Sequence, residues 1–155
     1  MRKRSAVRAL IICPEKQILL ARMRYKETED LWLTPGGGIG PDENHINALH
    51  RELNEEIFER AWPVGPAVWV REHQFMFEGE DLCQKETYYL LKCSRFEPPL
   101  MMPDENKNQY FLNYKWWNLE DLSASREIFV PGKISHFLID LVNGIVPDTP
   151  IDVGI

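Results

Sequence analysis

Long hydrophobic runs are absent from this 155-residue chain. No stretch approaches the ~18 apolar residues that a membrane-spanning helix needs, so no membrane partner is expected. Cysteine is scarce. Cys13, Cys83 and Cys93 form an odd set with no C-x-x-C pair. That fits neither a disulfide framework nor a zinc ribbon. Three reduced thiols remain, as expected of a cytoplasmic protein. Positive charge is in deficit: 18 Lys and Arg stand against 24 Asp and Glu, a formal net charge of −6. A protein that tracks a nucleic-acid backbone shows the opposite balance, so no stable nucleic-acid partner is expected. A small anionic ligand is not excluded, because a bound metal inverts the local field. Internal repeats, low-complexity tracts and Ser/Gly linkers are also missing. The first sixteen residues start basic and hold a short apolar run, but they lack the small-residue cleavage site of a secretion signal. With 44% hydrophobic residues, a single domain over residues 1–155 with its own core is expected.

What is present is mostly strand-like. Ser5–Cys13 and Ile18–Arg22 flank a Pro14–Gln17 turn and read as a hairpin. Arg24–Asp30 is charged and aperiodic, and is expected as an exposed loop. Leu31–Thr34 reads as a short strand running into Pro35-Gly36-Gly37-Gly38. Ile46, Leu49, Leu53 and Ile57 then recur at helical spacing, bounded by Pro63. Val64–Phe77 and Thr87–Cys93 read as strands around a Glu78–Asp81 turn, Pro98–Asn108 as a loop, and Tyr114–Trp117 as a strand. Leu119–Leu122 reads as a helical turn and Lys133–Val142 as a last helix, before an irregular tail over 145–155. The class is α+β, with a mixed sheet packed between helices.

Chemistry concentrates between Gly36 and Glu59. Glu52, Glu55 and Glu56 stand at i, i+3 and i+4. At about 100° per residue they share one patch of the helix, off the apolar stripe. Like charges at that spacing repel, so a bare helix gains nothing from them. A hard divalent cation such as Mg²⁺ or Mn²⁺ reverses the sign, because it seeks oxygen ligands. Arg51 lies four residues before Glu55 and can hold it by an i,i+4 pair. The glycine cluster lets backbone approach a ligand closely.

The spacing Gly37, five residues, Glu43, seven residues, Arg51-Glu52-Leu53-x-Glu55-Glu56 resembles the Nudix box of the Nudix hydrolases, here over residues 37–59. The preceding Trp32-x-x-Pro35-Gly36-Gly37 and the later Trp116–Leu122 segment are similar to that family as well. The resemblance implies an α/β/α sandwich with a mixed β-sheet. It also implies hydrolysis of a pyrophosphate linkage in a nucleoside diphosphate joined to another moiety. By motif position, Glu52, Glu55 and Glu56 would be Mg²⁺ or Mn²⁺ ligands, with the Gly36 carbonyl as a further ligand. Arg51 would orient the acids, and Glu43 would support it. Glu55, Glu56 or a glutamate outside the box would take the water proton, and Glu86 is the first outside candidate.

Two positions depart from the family pattern. Phe58-Glu59 stand where the box ends in glycine and an aliphatic, and Gly40 stands where the family often has glutamate. Phe58 suggests a helix that runs on to about Arg60. The family's downstream marks for particular substrates are missing, so the leaving group stays open. Arg22, Arg24 and Lys26 are candidate phosphate contacts, as are the backbones of Gly37 and Gly38. Phe75 is a candidate base-stacking ring, in a set with Trp69, Phe77, Tyr88, Tyr89, Trp116 and Trp117. The family often forms dimers, so a homodimer is admitted. Two other readings stand beside the enzyme: a non-catalytic Nudix-fold sensor of a nucleotide metabolite, and a plain acidic interaction domain.

Overall fold

Alternation along two central strands decides the layers. In the computed structural model, which describes residues 1–155, β1 is Arg2–Ile12 and β2 is Gln17–Lys26. Val7, Ala9 and Ile11 of β1 and Leu19 and Ala21 of β2 point to one face; Leu10, Ile12, Ile18 and Leu20 point to the other. Successive strand side chains must face opposite sides, and here both sides are apolar, so both faces must be covered. The helix α1 (His45–Glu56) covers the first with Ala48, Leu49 and Leu53. On the second lie α3 (Leu119–Ala124) and α4 (Ile134–Val142), through Leu122, Ile134, Leu138 and Leu141. The result is the three-layer arrangement that the resemblance implies.

The remaining strands complete a nine-stranded mixed sheet. They are β3 (Glu29–Leu33), β4 (Gly36–Gly38), β5 (Val64–Phe77), β6 (Glu80–Lys92), β7 (Phe111–Asn118), β8 (Phe129–Val130) and β9 (Ile151–Asp152). One short helix, α2 (Glu105–Asn108), interrupts the loop before β7.

The β1–β2 hairpin pairs only at Ile12 and Ile18 and then opens as a fork. β6 runs parallel to β1 along its whole length, from Arg2–Leu82 to Ile12–Lys92, and β7 lines β2. The glycine-bearing segment fills the fork. Leu33 of β3 lies opposite Ala21 of β2. Two residues on, the Pro35 carbonyl accepts from the Ala9 N–H at 2.8 Å, and β4 then pairs with β1, Gly37 opposite Val7. The fork thus delivers the glycines to α1.

Several boundaries differ from the sequence reading. The charged segment is no loop: β2 continues to Lys26 and β3 begins at Glu29, because Asp30 pairs with Arg22 and Arg24 at 2.9 and 2.8 Å across the hairpin. The β5–β6 turn is tighter than expected, with Glu78 and Gly79 both at positive φ, and β6 starts at Glu80. The tail is not wholly irregular. Ile151 and Asp152 pair with Trp69 and Val70, and Val153 is buried. Ile46, placed on the apolar stripe, is 40% exposed; Ala48 takes its place.

Candidate active site

The start of α1 is fixed by Asn44, whose side chain accepts from the Asn47 N–H at 2.8 Å, a normal N-cap arrangement. Two turns later the helix buries Glu52 and Glu56, each only 4% exposed. Carboxylates are rarely buried without partners. The glycines explain how these are held. The Gly36 N–H donates to both Glu56 oxygens at 3.2 and 3.3 Å. A Cβ on Gly37 would sit 2.6–2.7 Å from the Glu52 carboxylate, and one on Gly36, at φ +139°, would sit 2.1 Å from the Val7 carbonyl oxygen. Only glycine lets β4 lie flush on the two acids.

Arg51 ties the pieces together. Its guanidinium grips both Glu43 oxygens at 2.6 and 2.8 Å, the bidentate geometry that suits arginine. It also donates to Glu52 at 3.2 Å, to Glu55 at 3.2 Å and to the Gly38 carbonyl at 3.0 Å. Arg51 and the Gly40 N–H hold the Glu43 carboxyl down at about 2. Arg51 thereby orients the acids, and Glu43 orients Arg51.

Lys107, on α2, was not anticipated from the sequence. Its Nζ lies 3.1 Å from Glu56 and 3.3 Å from Glu55, and it also hydrogen-bonds Glu52. One ammonium therefore meets all three box acids. Burial pushes Glu56 up to about 8, against the pull of Arg8 and the Gly36 N–H. Burial, with Arg51 and Arg8 nearby, pushes Lys107 down to about 7. The three carboxylates do not close into a metal cage of their own, and the Lys107 ammonium stands among them. The donors nevertheless suit a hard divalent ion: carboxylate oxygens, gathered around one positive charge.

Glu86 lies beside the box, in a different role from the one expected. Arg8 Nε donates to one of its oxygens at 2.9 Å and Arg71 Nη1 to the other at 2.5 Å, and Gln84 and Tyr88 add bonds. Burial alone would raise its pKa, but Arg8 and Arg71 outweigh it and hold the carboxyl at about 2. A carboxylate so engaged is a poor proton acceptor. Glu86 instead aims Arg8, whose Nη1 donates to the Gly36 carbonyl at 3.2 Å. That carbonyl, expected as a further metal ligand, is thus occupied by a guanidinium.

A cavity of about 560 Å³ opens over Gly36–Gly38, Glu52, Glu56 and Lys107, in the mouth of the fork. Arg24 lines it, and so do Arg4 and Arg8. Arg22 is not among the lining residues. It pairs with Asp30, with its guanidinium 5.9 Å from the Trp32 ring centre. Phe75 does not line the cavity either; it stacks on His73 at 4.9 Å. Phe77 does, joined by Tyr25 and Tyr110. Trp69, Tyr88, Trp116 and Trp117 are buried core rings. Strand period alone did not separate Phe75 from Phe77, because both fall on one side of β5 and only the hairpin's end reaches the fork.

The helix stops at Glu56, not near Arg60. Tertiary donors take its last carbonyls: the Asp104 N–H bonds Glu55 at 3.0 Å and the Tyr114 hydroxyl bonds Glu56 at 2.5 Å. Asn54 Oδ1 accepts from the Arg60 N–H and from Trp62 Nε1. Phe58, where the box pattern has glycine, stacks on Trp62 at 5.4 Å and meets Phe96 edge-on at 5.1 Å. The departure therefore builds an aromatic cluster behind the helix and leaves the acids untouched.

Comparison with known proteins bears on the family and the fold. The family model for the NUDIX domain matches residues 2–137. An RNA pyrophosphohydrolase of Pseudomonas putida is 33% identical over 115 residues, covering 64% of this chain and 67% of that one. Among solved structures, the E. coli ORF135 protein superposes with a TM-score of 0.64 at 23% identity, over 96% of each chain. The E. coli dihydroneopterin triphosphate pyrophosphohydrolase gives 0.65 at 14% identity, over 90% of this chain and 99% of that one. At such identities the two structures speak for the fold. Together with the box, the family match identifies the class: the chain belongs to the Nudix family of hydrolases.

Proposed function

We propose that this protein is a metal-dependent pyrophosphohydrolase acting on a nucleoside diphosphate derivative. The observation that carries the proposal is the convergence of Glu52, Glu55 and Glu56 on a single cation, Lys107 Nζ, beside an arginine-lined cavity that Glu52, Glu56 and Lys107 line. These three carboxylates are the residues that would hold Mg²⁺ or Mn²⁺. When bound, such an ion neutralises phosphate charge and lowers the pKa of a water nucleophile.

The chain's own groups do the rest. Arg51, fixed by Glu43, keeps Glu52 and Glu55 from turning away. Arg4, Arg8 and Arg24 face the phosphates and offset their charge. Glu56, which lines the cavity, takes the proton of the attacking water; Glu86 does not line it. Tyr25, Phe77 and Tyr110 offer ring faces to a base. The leaving side of the substrate then departs through the open mouth of the fork.

The substrate is chosen by a panel. Nucleoside triphosphates, dinucleoside polyphosphates, nucleotide sugars and an RNA with a 5′ polyphosphate are each incubated with Mg²⁺ and with Mn²⁺, and phosphate is followed after coupling to a pyrophosphatase where pyrophosphate is the product or to a phosphatase where phosphomonoesters are. RNA belongs in the panel because the Pseudomonas putida relative is an RNA pyrophosphohydrolase. Turnover of at least one class that collapses in Glu56→Gln is expected. Equal rates for wild type and Glu56→Gln on every substrate would refute the proposal.

A further inference from the structure

The three box acids need a counter-charge before any divalent ion arrives, and the chain supplies one from a distant loop. Lys107 belongs to the four-residue α2, far from α1 in sequence. Its backbone is pinned where it must be for this contact. Asp104 caps α2 by accepting from the Asn106 and Lys107 N–H groups at 2.9 and 3.2 Å, and its own N–H bonds the Glu55 carbonyl at 3.0 Å. Asn108 Oδ1 accepts from the Met102 N–H at 2.9 Å. These bonds hold the backbone, and the Lys107 side chain itself is 25% exposed. It lines the same cavity as Arg4, Arg8 and Arg24.

An ammonium and a divalent ion cannot share the same carboxylate oxygens. Both are cations, and both need the lone pairs that Lys107 now occupies on Glu52, Glu55 and Glu56. We propose, resting on the function proposed above, that Lys107 is a substrate-phosphate contact with two positions. It closes the acids while the metal is away, and it turns into the cavity onto a phosphate oxygen once the metal is in. A lysine suits this role better than an arginine, because its charge is a compact point on a flexible four-carbon stem. The loop anchor keeps that stem within reach of both positions.

Amine-reactive acylation of the full chain, read by mass spectrometry at Lys107, tests the exchange. Labelling is expected to be slow without metal, to rise about tenfold with saturating Mn²⁺ as one charge-assisted clasp opens, and to fall again when a methylene-bridged nucleotide is added with Mn²⁺. The variant Lys107→Met, with the competing ammonium gone, is expected to bind Mn²⁺ about three- to tenfold tighter by calorimetry and the bridged nucleotide more weakly. Mn²⁺ binding to wild type is recorded in the same samples. If Mn²⁺ binds and Lys107 labelling does not change, the two-position role is overturned while the proposed function stands. If wild type binds no Mn²⁺, the proposed function itself fails.

Discussion

Glu86→Gln removes a charge from the most enclosed ionic group in the molecule. Glu86 is 2% exposed, and its two oxygens accept from Arg8 at 2.9 Å and Arg71 at 2.5 Å. Burial would raise its pKa, but Arg8 and Arg71 outweigh that and bring it from 4.5 down to about 2, which at about 1.4 kcal/mol per pKa unit corresponds to about 3 kcal/mol of folding stability. The pKa is depressed, so this stability is fully present above about pH 4.5. It is lost as the pH falls through the window from there to about 2. The glutamine keeps the shape but leaves two guanidiniums without their anion, and a broken buried pair costs about 3–5 kcal/mol. Denaturant unfolding at pH 7 should therefore show a loss of about 3 kcal/mol or more, at constant slope. Repeating it from pH 5 to pH 2 should show wild type losing most of that difference while the variant stays flatter. A Glu86→Gln protein within about 1 kcal/mol of wild type at pH 7 would refute this account of the network. The same variant bears on catalysis: if Glu86 were the general base, the acid limb of kcat/KM would vanish in it, whereas that limb is expected to persist.

Other substitutions probe single links. Gly37→Ala places a methyl 2.6–2.7 Å from the Glu52 carboxylate, so kcat/KM should drop by about 100-fold or more through a displaced acid, while circular dichroism shows a folded chain. Asn44→Ala removes the side-chain acceptor of the Asn47 N–H and should cost about 1 kcal/mol in thermal or denaturant unfolding. Tyr114→Phe strips the buried hydroxyl bond to the Glu56 carbonyl; a loss of about 1–2 kcal/mol is expected from unfolding curves.

The box was legible because its chemistry is local. Acids at helical spacing and glycines ahead of them carry their geometry in the sequence, and the structure does place Gly36, Gly37, Arg51, Glu52, Glu55 and Glu56 against one another. Lys107 was not legible. It sits in a proline-rich loop with no period, and what brings it to the acids is a backbone bond from Asp104 to Glu55. Glu86 stands out in sequence as a candidate base outside the box, but its pairing with Arg8 is not legible there, because β1–β6 pairing sets Arg8 beside its carboxylate and no local pattern announces a parallel contact between strands so far apart. The fork was hidden for a similar reason. A hairpin signal fixes the turn, not how far the strands stay paired, and the separation of β1 from β2 depends on β4 and β7 taking the places alongside them. The end of α1 shows tertiary bonds overriding propensity: Phe58 is a tolerable helix residue, but Tyr114 and Asp104 claim the last carbonyls.

The central claim is that the buried acids of α1 hold a divalent ion that the reaction requires. Mn²⁺ affinity of wild type and Glu52→Gln, measured by electron paramagnetic resonance on the same samples used for turnover, tests it most directly. The account predicts that Glu52→Gln loses at least ~100-fold in Mn²⁺ affinity and loses turnover with it, since it removes a ligand outright. Unchanged Mn²⁺ affinity in Glu52→Gln, or full turnover by wild type in excess chelator, would contradict it.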